Sequence, residues 1–322
     1  MKVLSYLYLL SMIRRSFFTF SVLLILSCGG TQDDPIPYYD PNGTDNTDDQ
    51  NNQIDNTTTD NTPKYADIDF SHWKITLPVD ANNNGSPDEY QPSDLINNGY
   101  RTLEAVIPYM YDDTSDGSIV FYTFPDVSTT NSSYSRTELR ELINTSNARE
   151  NWSLNEGGVM AGRLKMDSIS NDSSSSNTYH STIVMQIHGI ISIEDMNTYG
   201  FSSNNGPPLL KMYWKEGYLW AYKKSLVNED TTGAALLDVS SNTWTDIKHN
   251  FGYVGFDAFN FKITATDGKL ELQLNEDEPF VYEDVSLAKW PFENYFKAGN
   301  YLVSTSPSAF AYVKYYELNV TH

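Results

Sequence analysis

Short runs of residues in which apolar and polar side chains alternate dominate the chain from Asp67 onward. Lys74-Ile75-Thr76-Leu77 alternates, as do Met160-Ala161-Gly162-Arg163-Leu164-Lys165-Met166 and Tyr312-Val313-Lys314-Tyr315-Tyr316-Glu317-Leu318. A period of two puts successive side chains on opposite faces of a strand, one to bury and one to solvate. Residues 261–274 read as a hairpin turning at Asp267-Gly268, and residues 211–222 as a second turning at Glu216-Gly217. No amphipathic helix longer than about three turns is legible, and no internal repeat stands out. Many short strands bury their apolar faces by stacking two sheets, so the expectation is all-β, a sandwich or jelly roll.

The first 64 residues do not share this pattern. Arg14 and Arg15 precede an apolar run over residues 17–26 that ends at Ser27-Cys28. A basic stretch and about ten apolar residues fit an export signal and are too short to span a bilayer. Ile25-Leu26-Ser27 before Cys28 resembles a bacterial lipoprotein signal, which implies cleavage before Cys28 and lipid on its sulfur. Residues 1–28 are thus expected to be a signal peptide. The mature protein is then expected at the outer membrane or cell surface, held to the membrane through the lipid anchor only. Residues 29–64 carry eight acids against Lys64 and almost no aliphatic side chains. Such a segment cannot bury enough surface to fold and reads as a disordered linker. The folded domain is expected over 65–322.

Net charge is −21. The linker accounts for only part of it, so the domain itself is acidic. Nucleic acid is excluded as a main partner, because phosphate contacts need clustered Lys and Arg. A polyanion site would have to be a local basic patch. The single Cys excludes a disulfide framework and a finger-type zinc site. Twenty-three Tyr and six Trp suit strands and sugar-stacking surfaces alike.

Three segments depart from ordinary strand logic. In Ser135-Arg136-Thr137-Glu138-Leu139-Arg140-Glu141-Leu142, Arg136, Glu138 and Arg140 share one face. Two guanidiniums flanking a carboxylate can hold a substrate carboxylate, with Glu138 orienting the arginines. A solvated face with surface ion pairs explains the same spacing. In Val184-Met185-Gln186-Ile187-His188-Gly189, Gln186 and His188 share a face and Met185 and Ile187 point to the core. A neutral His is a plausible base near neutral pH, and a hydrogen-bonded core pair is the plainer alternative. In Tyr295-Phe296-Lys297-Ala298-Gly299-Asn300-Tyr301, Lys297, Gly299 and Tyr301 share a face if the strand is regular. The small residue between them leaves room for a ligand, or marks a glycine bulge beside a packed Tyr.

Together, and in this order, these segments resemble the alginate lyases of polysaccharide lyase family 7. The opening Trp73-Lys74-Ile75-Thr76-Leu77-Pro78 is similar too, so the resemblance runs from about residue 68 to the C-terminus. It implies a β-jelly roll sandwich whose concave sheet forms the substrate groove. It implies catalysis by Arg136, Gln186, His188 and Tyr301, the first two neutralising the uronate carboxylate. His188 or Tyr301 would take the C5 proton, and Tyr301 would protonate the leaving oxygen. Glu138, Arg140 and Lys297 would complete substrate binding. No metal or cofactor is implied, and a monomer is expected. Ile187 between Gln186 and His188 is associated in the family with guluronate-containing alginate. After Tyr301 this chain has Leu302-Val303-Ser304 where the family often has Asn-Gln, which leaves a polar contact beyond Tyr301 unsupported.

Other classes fit parts of the pattern. A non-catalytic carbohydrate-binding sandwich shares the aromatic content but needs no proton-transfer pair. A glycoside hydrolase needs two carboxylates across the bond, and Glu276-Asp277-Glu278 before Pro279 reads as a turn instead. A structural surface protein is the plainest reading.

Overall fold

The computed structural model describes residues 62–322. Cys28, the expected signal segment and the expected linker up to residue 61 lie outside the described residues. Two eight-stranded sheets make up the fold. The longest helix among the described residues, Ile193–Tyr199, has seven residues.

The cleft sheet runs, in spatial order, Trp244–Tyr253, Tyr218–Leu226, Asn205–Lys215, Ser181–Ile190, Glu293–Val303, Arg136–Glu141, Trp73–Thr76 and Glu89–Tyr90, all antiparallel. The back sheet runs from Phe280–Glu283 through Lys269–Leu274, Phe259–Thr266, Gly158–Ile169, Ala311–Thr321 and Ser118–Thr123 to Met110–Asp113, with Asp67–Ile68 added in parallel to Ala311–Thr321. Both expected hairpins form. Glu216 and Gly217 take positive φ (54° and 79°), the backbone a tight turn between twisted strands requires.

The alternation sets which face is buried. Leu139, Met185, Ile187, Met212, Trp214, Phe296 and Ala298 are fully enclosed between the sheets. Each large apolar side chain removed from water there contributes about 2 kcal/mol. Tyr315 crosses the interior from the back sheet. Its hydroxyl donates to the Val184 carbonyl (2.5 Å) and accepts from the Gly299 amide (3.2 Å), tying two site strands to the layer beneath.

Gly299 decides between the two readings the sequence left open. It sits in a register shift between Ala298 and Tyr301, at φ 138°, and a Cβ there would lie 2.6 Å from the Thr137 carbonyl oxygen. The glycine serves a bulge and a close strand approach, and is not a gap left for ligand. Asn300 fixes the bulge from below. Its amide nitrogen donates to the carbonyls of Phe121 (2.9 Å) and Ala311 (2.8 Å), and its oxygen accepts from the Thr182 hydroxyl (2.8 Å).

Candidate active site

Three strands far apart in sequence lie side by side in the cleft sheet. The tyrosine strand Glu293–Val303 separates the histidine strand Ser181–Ile190 from the arginine strand Arg136–Glu141. Register then brings the segments together. Lys297 pairs with Arg140 on one side and Gln186 on the other, Tyr301 with Arg136, and Tyr295 with His188. Above them the sheet hollows into a cleft of about 480 Å³. Six of its lining side chains are cationic (Lys74, Arg136, Arg140, Lys211, Lys224 and Lys297), against one carboxylate, Glu89. The acidic body therefore does carry a local basic groove.

Glu138 lies beneath this cleft, 1% exposed, and does not line it. Its carboxylate receives Arg136 Nη1 at 3.1 Å, Gln186 Nε2 at 2.5 Å and the Lys297 ammonium. Burial raises the Glu138 pKa, but Lys297 and Arg136 outweigh it and hold the group below the usual carboxylate range. This revises the expected pair of guanidiniums around one carboxylate. Only Arg136 reaches Glu138. Arg140 turns away to the Ala148 carbonyl (2.8 Å) and Asn151 Oδ1 (3.1 Å). Nor is the face solvated, since all six residues of the arginine strand are buried. Arg136 Nε and Arg140 Nη1 are buried without a hydrogen-bond partner, so each guanidinium has a donor left over.

His188 stands at a local irregularity opposite Pro208. Gly189 permits it, because a Cβ there would lie 2.6 Å from the Pro207 carbonyl oxygen. With Nδ1 2.9 Å from the Gly189 carbonyl oxygen, Nδ1 carries the proton as donor and Nε2 keeps its lone pair. Burial, with Lys297 and Arg136 adding repulsion, pushes the His188 pKa down to about 3. The imidazole is thus neutral at any ordinary pH. Burial and Arg136 also bring Lys297 down to about 8, against the pull of Glu138. Tyr301 carries the Arg136 guanidinium 3.9 Å from its ring centroid, and its hydroxyl lies 2.6 Å from Ser132 Oγ.

Every residue expected at the site is therefore in or directly under one cleft. Sequence reasoning missed Tyr295. Its ring stacks on His188 (5.2 Å, 12°) and carries Arg140 at 4.1 Å, so one aromatic positions two functional groups. It lies two residues before Lys297, on the same strand face, and that parity was the available signal.

The sequence profile described as "Alginate lyase" matches residues 68–322. The chain belongs to the alginate lyase family. It is a polysaccharide lyase with the jelly-roll sandwich of that family. A curated alginate lyase of Klebsiella pneumoniae is 23% identical over 296 residues, covering 79% of this chain and 90% of that protein. The crystal structure of alginate lyase A1-II', a member of polysaccharide lyase family 7, is 31% identical at TM-score 0.60, covering 79% of this chain and 96% of that one. A variant of that enzyme with one His changed to Asn and one Tyr to Phe is known in complex with a substrate, GGMG. The present chain matches it at 30% identity and TM-score 0.59, over 81% of this chain and 97% of that one.

Proposed function

We propose that the protein cleaves the 1,4-glycosidic bond of alginate by β-elimination, releasing unsaturated oligouronates. The observation that carries this reading is a neutral His188, Nε2 free, set beside the buried cations Arg136 and Lys297. A proton next to a carboxylate is weakly acidic, and removing it builds an enolate-like dianion. Fixed cations and donors where that charge develops lower the barrier. Arg136 Nε and the Gln186 amide hold the uronate carboxylate, His188 takes the C5 proton, and the Tyr301 hydroxyl protonates the leaving oxygen. The Ser132 hydroxyl orients that phenol.

Two different side chains suit guluronate. In that sugar the C5 proton and the C4 oxygen project to opposite faces of the ring, so one group cannot serve both. In mannuronate they share a face, and Tyr301 alone can do both transfers. Guluronate-containing blocks are therefore the preferred substrate. The relative A1-II' was crystallised with the substrate GGMG as a variant with a His and a Tyr replaced, and with the product GGG as a variant with the Tyr alone replaced. Ile187 is fully buried and reaches no sugar directly.

The test is the product. Incubation with alginate blocks is expected to give an ultraviolet-absorbing 4,5-unsaturated end. Tight binding without that chromophore would instead support a binding domain, and saturated ends a hydrolase. A hydrolase lacks support because Glu89, engaged by Lys74 at 2.6 Å, is the one carboxylate among the described cleft-lining residues.

The acidic linker and Cys28 support a surface-tethered enzyme acting on a polymer outside the cell. Cys28→Ser is expected to move most of the protein from the membrane fraction to the soluble exported fraction. Unchanged membrane association on fractionation would sink the lipid anchor.

A further inference from the structure

The cleft sheet places side chains in a cross-strand row that extends well past the residues given a role above. Register runs Lys74, Arg140, Lys297, Gln186, Lys211, Tyr222, Lys248, one residue from each of seven neighbouring strands. A lysine stands on every second strand. Neighbouring strands are about 4.8 Å apart, so successive lysines are set about 10 Å apart along the row.

We infer that Lys211 and Lys248 are carboxylate-binding subsites for a polyuronate lying across the sheet, with Tyr222 under the sugar between them. This rests on the uronate-cleaving reading of the cleft and extends it to distant sugars. An extended 1,4-linked uronate chain is a ribbon whose alternate sugars face opposite ways. Carboxylates on one side therefore recur every second sugar, again about 10 Å, which matches two strand steps.

The ion pairing of the lysines points the same way. Lys74, Lys224 and Lys297 are engaged by Glu89, Asp246 and Glu138. Among the described residues, no carboxylate lies within ion-pair distance of Lys211 or Lys248. Asp246, on the same sheet face, is held by Lys224 at 2.9 Å. Lys211 lines the cleft half-buried, and burial lowers its pKa. Lys211 has no ion pair of its own, only the charge of Asp246 beyond pairing distance, so its partly desolvated ammonium is costly and a bound carboxylate offsets that cost. Both lysines lie against rings: Lys248 4.7 Å from the Tyr222 centroid, Lys211 5.8 Å from that of Tyr213. Tyr213 and Tyr222 are themselves 4.4 Å apart, a small aromatic floor between two cations.

The test is KM and kcat of the full chain on a uronate hexasaccharide, a trisaccharide and the polymer. Lys211→Met is expected to raise KM for the hexasaccharide about tenfold and Lys248→Met about fivefold, with kcat changed less than threefold in each. The loss shrinks as the oligomer shortens, and Lys211→Arg restores most of the affinity. A hexasaccharide KM within twofold of the parent in both methionine variants overturns the row. So does an equal loss on trisaccharide and hexasaccharide. Lys248 is exposed on an edge strand, so its variant remains informative if Lys211→Met folds poorly. Calorimetric binding of the hexasaccharide to the same variants judges the row even if His188 proves dispensable or no bond is cut. The row and the chemistry therefore fail separately.

Discussion

Replacing His188 by alanine is expected to lower kcat on guluronate-containing blocks by about 10³-fold while the fold persists, because a positioned base contributes roughly 10²–10⁴. The ring is partly open to the cleft, and its one protein hydrogen bond goes to the adjacent Gly189 carbonyl, so its removal leaves no buried donor stranded. Tyr301→Phe should cost a similar factor, and on mannuronate blocks it should cost more than His188→Ala. Near-parental turnover of both variants on every block type would remove these residues from the mechanism. The pH profile adds a second check. kcat/KM reports groups of the free enzyme. With His188 held down to about 3, it stays neutral from about pH 4 upward and gives no acid limb near its ordinary pKa of about 6.5. Lys297, at about 8, loses its charge above that pH, so kcat/KM should decline on the alkaline side, and Lys297→Met should abolish that decline. A parental acid limb centred near 6.5 would contradict a neutral His188. Stability follows the same shift. Between the folded value near 3 and the unfolded value near 6.5, the unfolded chain binds more protons at this site. His188 therefore makes the fold progressively less stable as pH falls through that window.

Strand parity made much of this site readable in advance. Arg136, Gln186 and His188 stand on the cleft side because Leu139, Met185 and Ile187 alternate with them and are buried. The hairpins at Glu216-Gly217 and Asp267-Gly268 are local, so turn residues announce them. Neighbourhood within the sheet is not local. Nothing in residues 293–303 states that this strand inserts between two strands more than a hundred residues upstream, because strand order follows from long-range packing. The Lys297–Glu138 pair, the stacking of Tyr295 between Arg140 and His188, and the lysine row all depend on that insertion. Tyr301 shows the limit well. Against the histidine strand a regular register would pair it with residue 182, whereas the bulge at Gly299 sets it opposite Ile183 while its regular pairing with Arg136 is kept, and only the family resemblance had separated it from the other tyrosines.

Glu138→Ala is expected to be the most damaging single change for the fold and the site together. Three strands meet at this carboxylate through Arg136, Gln186 and Lys297. Removing it leaves two cations of low exposure facing each other without a counter-charge, a loss of about 3–5 kcal/mol. For a domain of this size that corresponds to a fall in Tm of about 10 °C. Its stabilisation depends on pH in a definite direction. The folded pKa lies below the ordinary value of about 4.5, so the contribution is complete above that pH and is lost as pH falls through the folded value. Glu138→Gln keeps the shape and one acceptor but removes the charge. It should recover part of the Tm and little of the activity, because an uncompensated Lys297 sheds its proton more readily and Arg136 loses the partner that aims it at the substrate carboxylate. Calorimetric scans at pH 7 and pH 4, with kcat for each variant, distinguish these effects. A Tm within 2 °C of the parent for Glu138→Ala would mean that the two cations find other partners, and the carboxylate would then not be what organises the cleft.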